Sequence, residues 1–134
     1  MLDFTLTPEQ LDLQQKAREF AKKEILPVAW YYDEIDETPL PLLKKAYDAG
    51  LMNSEIPQIY GGNGWGLIES VVMTEEFAAA CPGLATSLFD NSLGLEPLLL
   101  SKNEPLKKKY FAKVLDDFKL IFFLLFCDGL NGCG

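Results

Sequence analysis

The segment Ala49–Gly66 constrains this chain more than any other, because it forces the flanking segments to turn back on one another. It contains Gly50, then Ile56-Pro57, then glycines at 61, 62, 64 and 66. Glycine relieves the steric bar to positive φ, so Gly50 is expected to stop a helix, and the later glycines to build a tight surface turn. Between Gly50 and Pro57 the chain is expected to run extended. The glycines tempt a dinucleotide-binding reading, but that fingerprint needs GxGxxG between a buried strand and a helix. The spacing here is wrong, and no Val/Ile-rich strand precedes it.

The flanking segments read as helices. Thr7-Pro8-Glu9-Gln10 is a helix start, with Thr7 as cap, Pro8 at the first position and Gln10 completing a capping box. Leu13, Ala17, Phe20, Ala21 and Ile25 recur at helical spacing. Pro27 is expected to kink or end that helix, which then resumes through Ala29 and Tyr32. Residues 33–38 read as an acidic connector. A second helix is expected over 42–49 and a third over 67–81, where Pro82-Gly83 breaks it. Residues 84–100 read as a buried apolar element, split into two shorter helices by Gly94 and Pro97. Asn103 caps a last helix reaching Val114, with Lys107, Lys108 and Lys109 exposed. Leu120–Phe126 is too short to span a bilayer as a helix and reads as a buried β-strand. The fold class is therefore all-α with a short terminal β-like segment: a helical unit over 1–118, with the β-like segment within 119–134.

With 134 residues the chain is one domain or a piece of a larger protein. Its net charge of −8 argues against a nucleic-acid partner. Three cysteines without a CxxC, and no histidine, argue against a disulfide framework and a metal site. Reduced thiols fit an intracellular compartment. The N-terminus lacks the pattern of a signal peptide. Glu75 and Glu76 are adjacent on a helix and about 100° apart, so they cannot converge as a catalytic pair. One or both are expected in salt bridges or water.

An ordered set of short segments resembles the N-terminal domain of the acyl-CoA dehydrogenases. It comprises residues 4–10, 18–21, 24–27, Gly50-Leu51-Met52, Ile56-Pro57, Tyr60-Gly61-Gly62, 74–78, 91–94 and 103–110. Residues 27–33, 50–53 and the Asn91 block are most similar to the medium-chain branch. The resemblance implies an FAD-dependent flavoenzyme of fatty acid β-oxidation. Such an enzyme removes an α-proton from a fatty acyl-CoA with a glutamate while the β-hydrogen leaves as hydride to the flavin. The family's glutamate lies in a later domain, so the resemblance assigns no catalytic residue here, and Glu75, Glu76 and Glu96 are not substitutes.

The resemblance places Thr86, Phe89, Asp90 and Leu93 at the end of the acyl-chain pocket; the same four residues also suit plain core or helix surface. Phe89 is bulkier than the family's smaller or polar residue. Leu13, Leu51, Trp65 and Met73 resemble positions that receive the electron-transferring flavoprotein, or else are packed core. Phe123 and Leu125 match the strand before the flavin-binding motif and are the only flavin-side positions carried over. Beyond Phe126, the expected Thr-Glu-Pro-Gly-x-Gly-Ser-Asp run is lost, which reads as a truncation or frameshift just inside the β-domain. A homo-oligomer, or a separate chain supplying the β-domain, is then expected. The compartment is bacterial cytoplasm or mitochondrial matrix. The chain alone is expected to be inactive. The alternative is a non-catalytic helical interaction module that uses the same fold and binds through Leu120–Phe126.

Overall fold

In the computed structural model the described residues are 5–117, and they are helical. Helix α1 (Pro8–Phe20) starts as the sequence dictates. The Gln10 amide donates to Thr7 Oγ1 (3.2 Å) and the Thr7 amide to Gln10 Oε1 (3.0 Å), so two otherwise orphaned donors are satisfied reciprocally. Its buried residues Leu13 and Ala17 continue into Ala21 and Ile25 as an unbroken i, i+4 row. In a pure α-helix such a row drifts by about 40° per step. Here Ala21–Ile25 form a π-helical turn, whose underwinding opposes the drift and keeps the row on α4 (Leu67–Ala80).

Pro27 acts next. A 3-10 turn, Leu26–Val28, accommodates its missing N–H, and α2 (Ala29–Ile35) resumes. That helix takes in Asp33 and Glu34, so the acidic connector is shorter than expected, and Asp36 ends the helix in the left-handed region (φ +50°).

Helix α3 (Leu40–Asp48) ends as Gly50 requires. The Leu51 amide donates to Ala46 O and the Gly50 amide to Tyr47 O, both at 2.9 Å, with Gly50 at φ +68°. This is a Schellman closure, and it plants Leu51 in the core. Lys16 Nζ from α1 donates to the free Ala49 carbonyl (2.8 Å).

The next stretch corrects the sequence expectation. Residues 51–57 do not run extended but fold as a compact turn, with Asn53 at φ +55° and Ile56 N donating to Asn53 O (3.3 Å). The glycine loop returns along it: Gly64 N donates to Ile56 O and Trp65 N to Ser54 O, both at 2.9 Å. A Cβ on Gly62 would lie 2.0 Å from the Ile56 carbonyl oxygen, so only glycine fits there. The surface-turn reading of the loop holds, with Gly61 and Gly64 at positive φ.

Helix α5 (Pro82–Leu100) is a second correction: it runs unbroken through Gly94 and Pro97. Pro97 removes the hydrogen bond that its amide would give to Leu93 O. The helix ends one turn later, and Leu93 is 66% exposed, so water reaches this neighbourhood. Helix α6 (Glu104–Asp116) is capped by Asn103 Oδ1, which accepts from Leu106 N at 3.1 Å. Of the three lysines, Lys107 is half-buried and pairs with Glu104 (3.4 Å) instead of standing free.

The core joins α1, α4 and α5, with α3, α6 and the turn over 51–57 closing it. Ile25, Leu51, Ile56, Met73, Phe77, Leu88, Leu95 and Phe111 are wholly buried. Two polar clasps hold α1 on α4: Gln10 Nε2 donates to Glu69 Oε1 (2.8 Å), and Arg18 grips both oxygens of Glu76 (2.6 and 2.9 Å). Leu13, Leu51 and Met73 are therefore packed core, not an outer docking face. The expected strand Leu120–Phe126, with Phe123 and Leu125, lies outside the described residues, as do Cys127, Cys133 and the whole of the unit expected over 119–134.

Candidate functional site

Helices α4 and α5 lie antiparallel beside the turn over 51–57, and a cleft of about 630 Å³ opens along their shared face. On α4 the lining residues Leu67, Ser70, Thr74 and Ala78 fall at intervals of three and four, one helical stripe. After Leu67 the stripe carries only small side chains, which leaves the volume open. On α5 the wall comes from residues between Pro82 and Leu99 at the same spacing, and Glu55, Trp65 and Gly66 close one side.

All four residues picked from the sequence, Thr86, Phe89, Asp90 and Leu93, line this one cleft. Phe89 is fixed from behind. Its ring centroid lies 5.6 Å from that of Phe77, and Phe77 lies 5.6 Å from Phe20, so three tilted rings run from α1 through α4 to the cleft. Leu93 stands at the rim. Thr86 is less polar than it reads, because its hydroxyl donates to Pro82 O (3.0 Å) on its own helix. Thr74 does the same to Ser70 O (2.7 Å). With these two donors consumed, the middle of the cleft presents mostly methyl and ring surface.

Sequence reasoning found one wall and missed the other. The signal for the α4 wall was the run of small residues at 70, 74 and 78, which looks unremarkable until α5 is set opposite it. Trp65, read from the sequence as a partner-docking position or as packed core, is partly buried against the core and lines the cleft.

Beneath the site, Asn53 and Asn91 are 4% and 7% exposed. Asn91 Nδ2 donates to Asn53 Oδ1 (3.1 Å), and Asn53 Nδ2 to Val114 O (3.4 Å). This short polar bridge ties α5 to the turn that carries Glu55 and onward to α6. A second cleft of about 520 Å³ lies on the other side of Asp90, lined by Asp33, Asp36, Glu37 and Cys81 among others.

Three carboxylates have their roles fixed by hydrogen bonds within the fold. Glu76 is held below its ordinary pKa by the hydrogen bonds and charge of Arg18. Glu69 is lowered by Gln10 and by backbone amides at the start of α4. Glu104 accepts from the Tyr60 hydroxyl, which lowers the carboxyl and raises the phenol. Each is a structural acceptor. Among the described residues no group of three or more His, Cys, Asp or Glu could hold a metal ion, and no helix is long and apolar enough to cross a membrane.

The glycine loop is no phosphate cradle. The amides of Gly61, Gly62, Gly64 and Trp65 donate to the carbonyls of Gln58, Pro57, Ile56 and Ser54, and that of Gly66 to Glu69 Oε2, so these five are spent within the fold and do not converge on an anion.

A family model described as "Acyl-CoA dehydrogenase, N-terminal domain" matches residues 7–117. The probable medium-chain specific acyl-CoA dehydrogenase 2, mitochondrial, of Caenorhabditis briggsae is 36% identical over 111 residues, covering 83% of this chain and 27% of that protein. An acyl-CoA dehydrogenase of Bacillus subtilis is 34% identical over 111 residues, covering 81% and 29%. The chain thus spans between a quarter and a third of the length of these curated relatives. Among solved structures, a chain from the electron-transferring flavoprotein study of Acidaminococcus fermentans superposes with a TM-score of 0.77 at 29% identity, covering 86% of this chain and 30% of that one. A nitroalkane oxidase chain superposes with a TM-score of 0.76 at 24% identity, covering 85% and 28%, a likeness of fold alone.

Proposed function

From the fact that this chain belongs to the acyl-CoA dehydrogenase family, matching its N-terminal domain, we propose that the α4–α5 cleft forms one wall of the acyl-chain pocket in an FAD-dependent α,β-dehydrogenation of fatty acyl-CoA. The observation that supports this is the convergence of Thr86, Phe89, Asp90 and Leu93 on one largely apolar cleft. An alkyl chain gains about 0.8 kcal/mol for each methylene removed from water. Small side chains on α4 facing a ring on α5 give such a chain a groove with a floor.

The roles of this chain's residues follow from their chemistry. Phe89, braced by Phe77, stops the chain and sets its length. Thr86, with its hydroxyl turned to its own helix, offers a methyl face, and Leu93 and Trp65 cover the chain from the sides. The family's flavin, when bound, would accept the β-hydride, which no side chain can do. The residues carried over for it, Phe123 and Leu125, lie outside the described residues. No described carboxylate is assigned the α-proton, so the 134-residue chain by itself is read as inactive. An electron-transferring flavoprotein as electron acceptor, and a bacterial-cytoplasmic or mitochondrial setting, are the family's expectations for the whole enzyme.

The test is a chain-length series. Neutral N-acetylcysteamine thioesters of increasing saturated chain length are titrated against the purified chain carrying Trp30→Phe, with the fluorescence of Trp65 as the readout. Affinity is expected to rise about fourfold per methylene, from about 0.8 kcal/mol each, and then to reach a plateau. Phe89→Ala and Phe89→Leu should move the plateau to longer chains. No binding at any length, or a plateau that Phe89 variants leave in place, would refute the proposal.

A further inference from the structure

Building on the acyl-chain reading above, we infer that this cleft discriminates by charge at the far end of the chain: it takes acyl chains with an uncharged end and rejects those ending in a carboxylate. The charged side chains lining it are Glu55, Asp90 and Glu96, and no lysine or arginine lines it. None of the three forms a salt bridge with a described residue. Glu55 Oε1 is buried without a hydrogen-bond partner, so no described donor offsets this acceptor.

Their placement makes the effect hard to avoid. Asp90 and Glu96 sit six residues apart on α5, about 9 Å along its axis. Glu55 faces them from the turn over 51–57. A carboxylate carried into the cleft would come within one screening length, about 8–10 Å, of at least one of them. The walls between are apolar, and low-dielectric walls concentrate the field of fixed charges. Of the four hydroxyls in the cleft, those of Thr74 and Thr86 donate to their own helices, which leaves only Ser70 and Ser92 to solvate an anion, against three carboxylates. An uncharged methyl end meets none of this penalty.

Because the whole chain carries a net charge of −8, the test must separate local from general repulsion. The full 134-residue chain with Trp30→Phe serves as the base protein. Trp30 is 76% exposed, and its removal leaves Trp65 as the one tryptophan. The probes are the N-acetylcysteamine thioesters of decanoate and of its 9-carboxynonanoyl analogue, which share a neutral head.

At low salt the carboxylated probe is expected to bind at least tenfold more weakly. Asp90→Asn with Glu96→Gln should close most of that gap, while Asp12→Asn with Glu34→Gln, which removes the same charge elsewhere, should leave it. Equal binding of the two probes would overturn the inference while leaving the acyl-chain reading intact. So would a gap that the cleft variants fail to narrow, or that the remote pair narrows equally. If neither probe perturbs Trp65, the acyl-chain reading falls and this inference falls with it.

Discussion

Replacing Asn91 by leucine is expected to destabilise the domain by about 2 kcal/mol, although leucine has nearly the same shape and Asn91 touches no substrate. The reason is Asn53. Its Oδ1 accepts from Asn91 Nδ2 at 3.1 Å in a place where Asn53 is 4% exposed. Without that donor the oxygen stays buried and unpaired, which costs about 1–3 kcal/mol, more than the hydrogen bond contributes as a pair. Asn53→Gly removes the acceptor while keeping a residue suited to φ +55°. It strands Asn91 Nδ2 and the Val114 carbonyl instead, again at about 2 kcal/mol. In the double variant the mutual penalty vanishes, so the loss should fall short of the sum of the singles by about 1–2 kcal/mol. For a domain of this size, 2 kcal/mol corresponds to a drop in Tm of about 8 °C. Urea unfolding followed by circular dichroism, on the wild type and three variants, measures the cycle. Strict additivity, or Asn91→Leu within about 0.5 kcal/mol of wild type, would show that the bridge does not join α5 to the turn over 51–57.

Gly62→Ala should cost about 3 kcal/mol or more, because its Cβ would lie 2.0 Å from the Ile56 carbonyl oxygen. Gly50→Ala meets open space and pays only for φ +68°, about 1–2 kcal/mol. Equal costs in urea melts would contradict the close approach.

Arg18→Leu should destabilise at neutral pH and lose its effect in acid. The Arg18 guanidinium holds the folded Glu76 carboxyl below its ordinary value of 4.5, so its contribution is present above about that pH and is lost as pH falls through the folded value. A difference between wild type and variant that persists unchanged well below pH 4 would contradict the ion pair as its source.

The pure chain is expected to show no acyl-CoA-dependent reduction of an electron-accepting dye. Turnover would mean that one of its carboxylates takes the α-proton after all.

Helix starts and stops were legible in the sequence because they are local. The capping box at Thr7 and Gln10, the closure at Gly50 and the cap at Asn103 each depend on residues within a few positions of one another. The α5 wall was reached differently: the family resemblance singled out residues 86, 89, 90 and 93, and helical spacing alone left them equally suited to core or surface. Pro97 misled because a proline's cost depends on where it falls in the helix: one turn from the end and near an exposed rim, α5 tolerates it.

What only the tertiary structure decided is what faces what. Ser70, Thr74 and Ala78 become a cleft wall only with α5 opposite them, and Asn53 and Asn91, 38 residues apart, become a bridge only when the turn over 51–57 folds under α5. Leu13, Leu51 and Met73 looked equally suited to core or surface, and the packing of α1 on α4, with α3 closing against α5 and the π-helical turn, put them inside. Backbone hydrogen bonds near a helix end are fixed by neighbours in the chain, so the sequence by itself determined the helices. Burial and facing depend on side chains distant in sequence, and only folding brings those together.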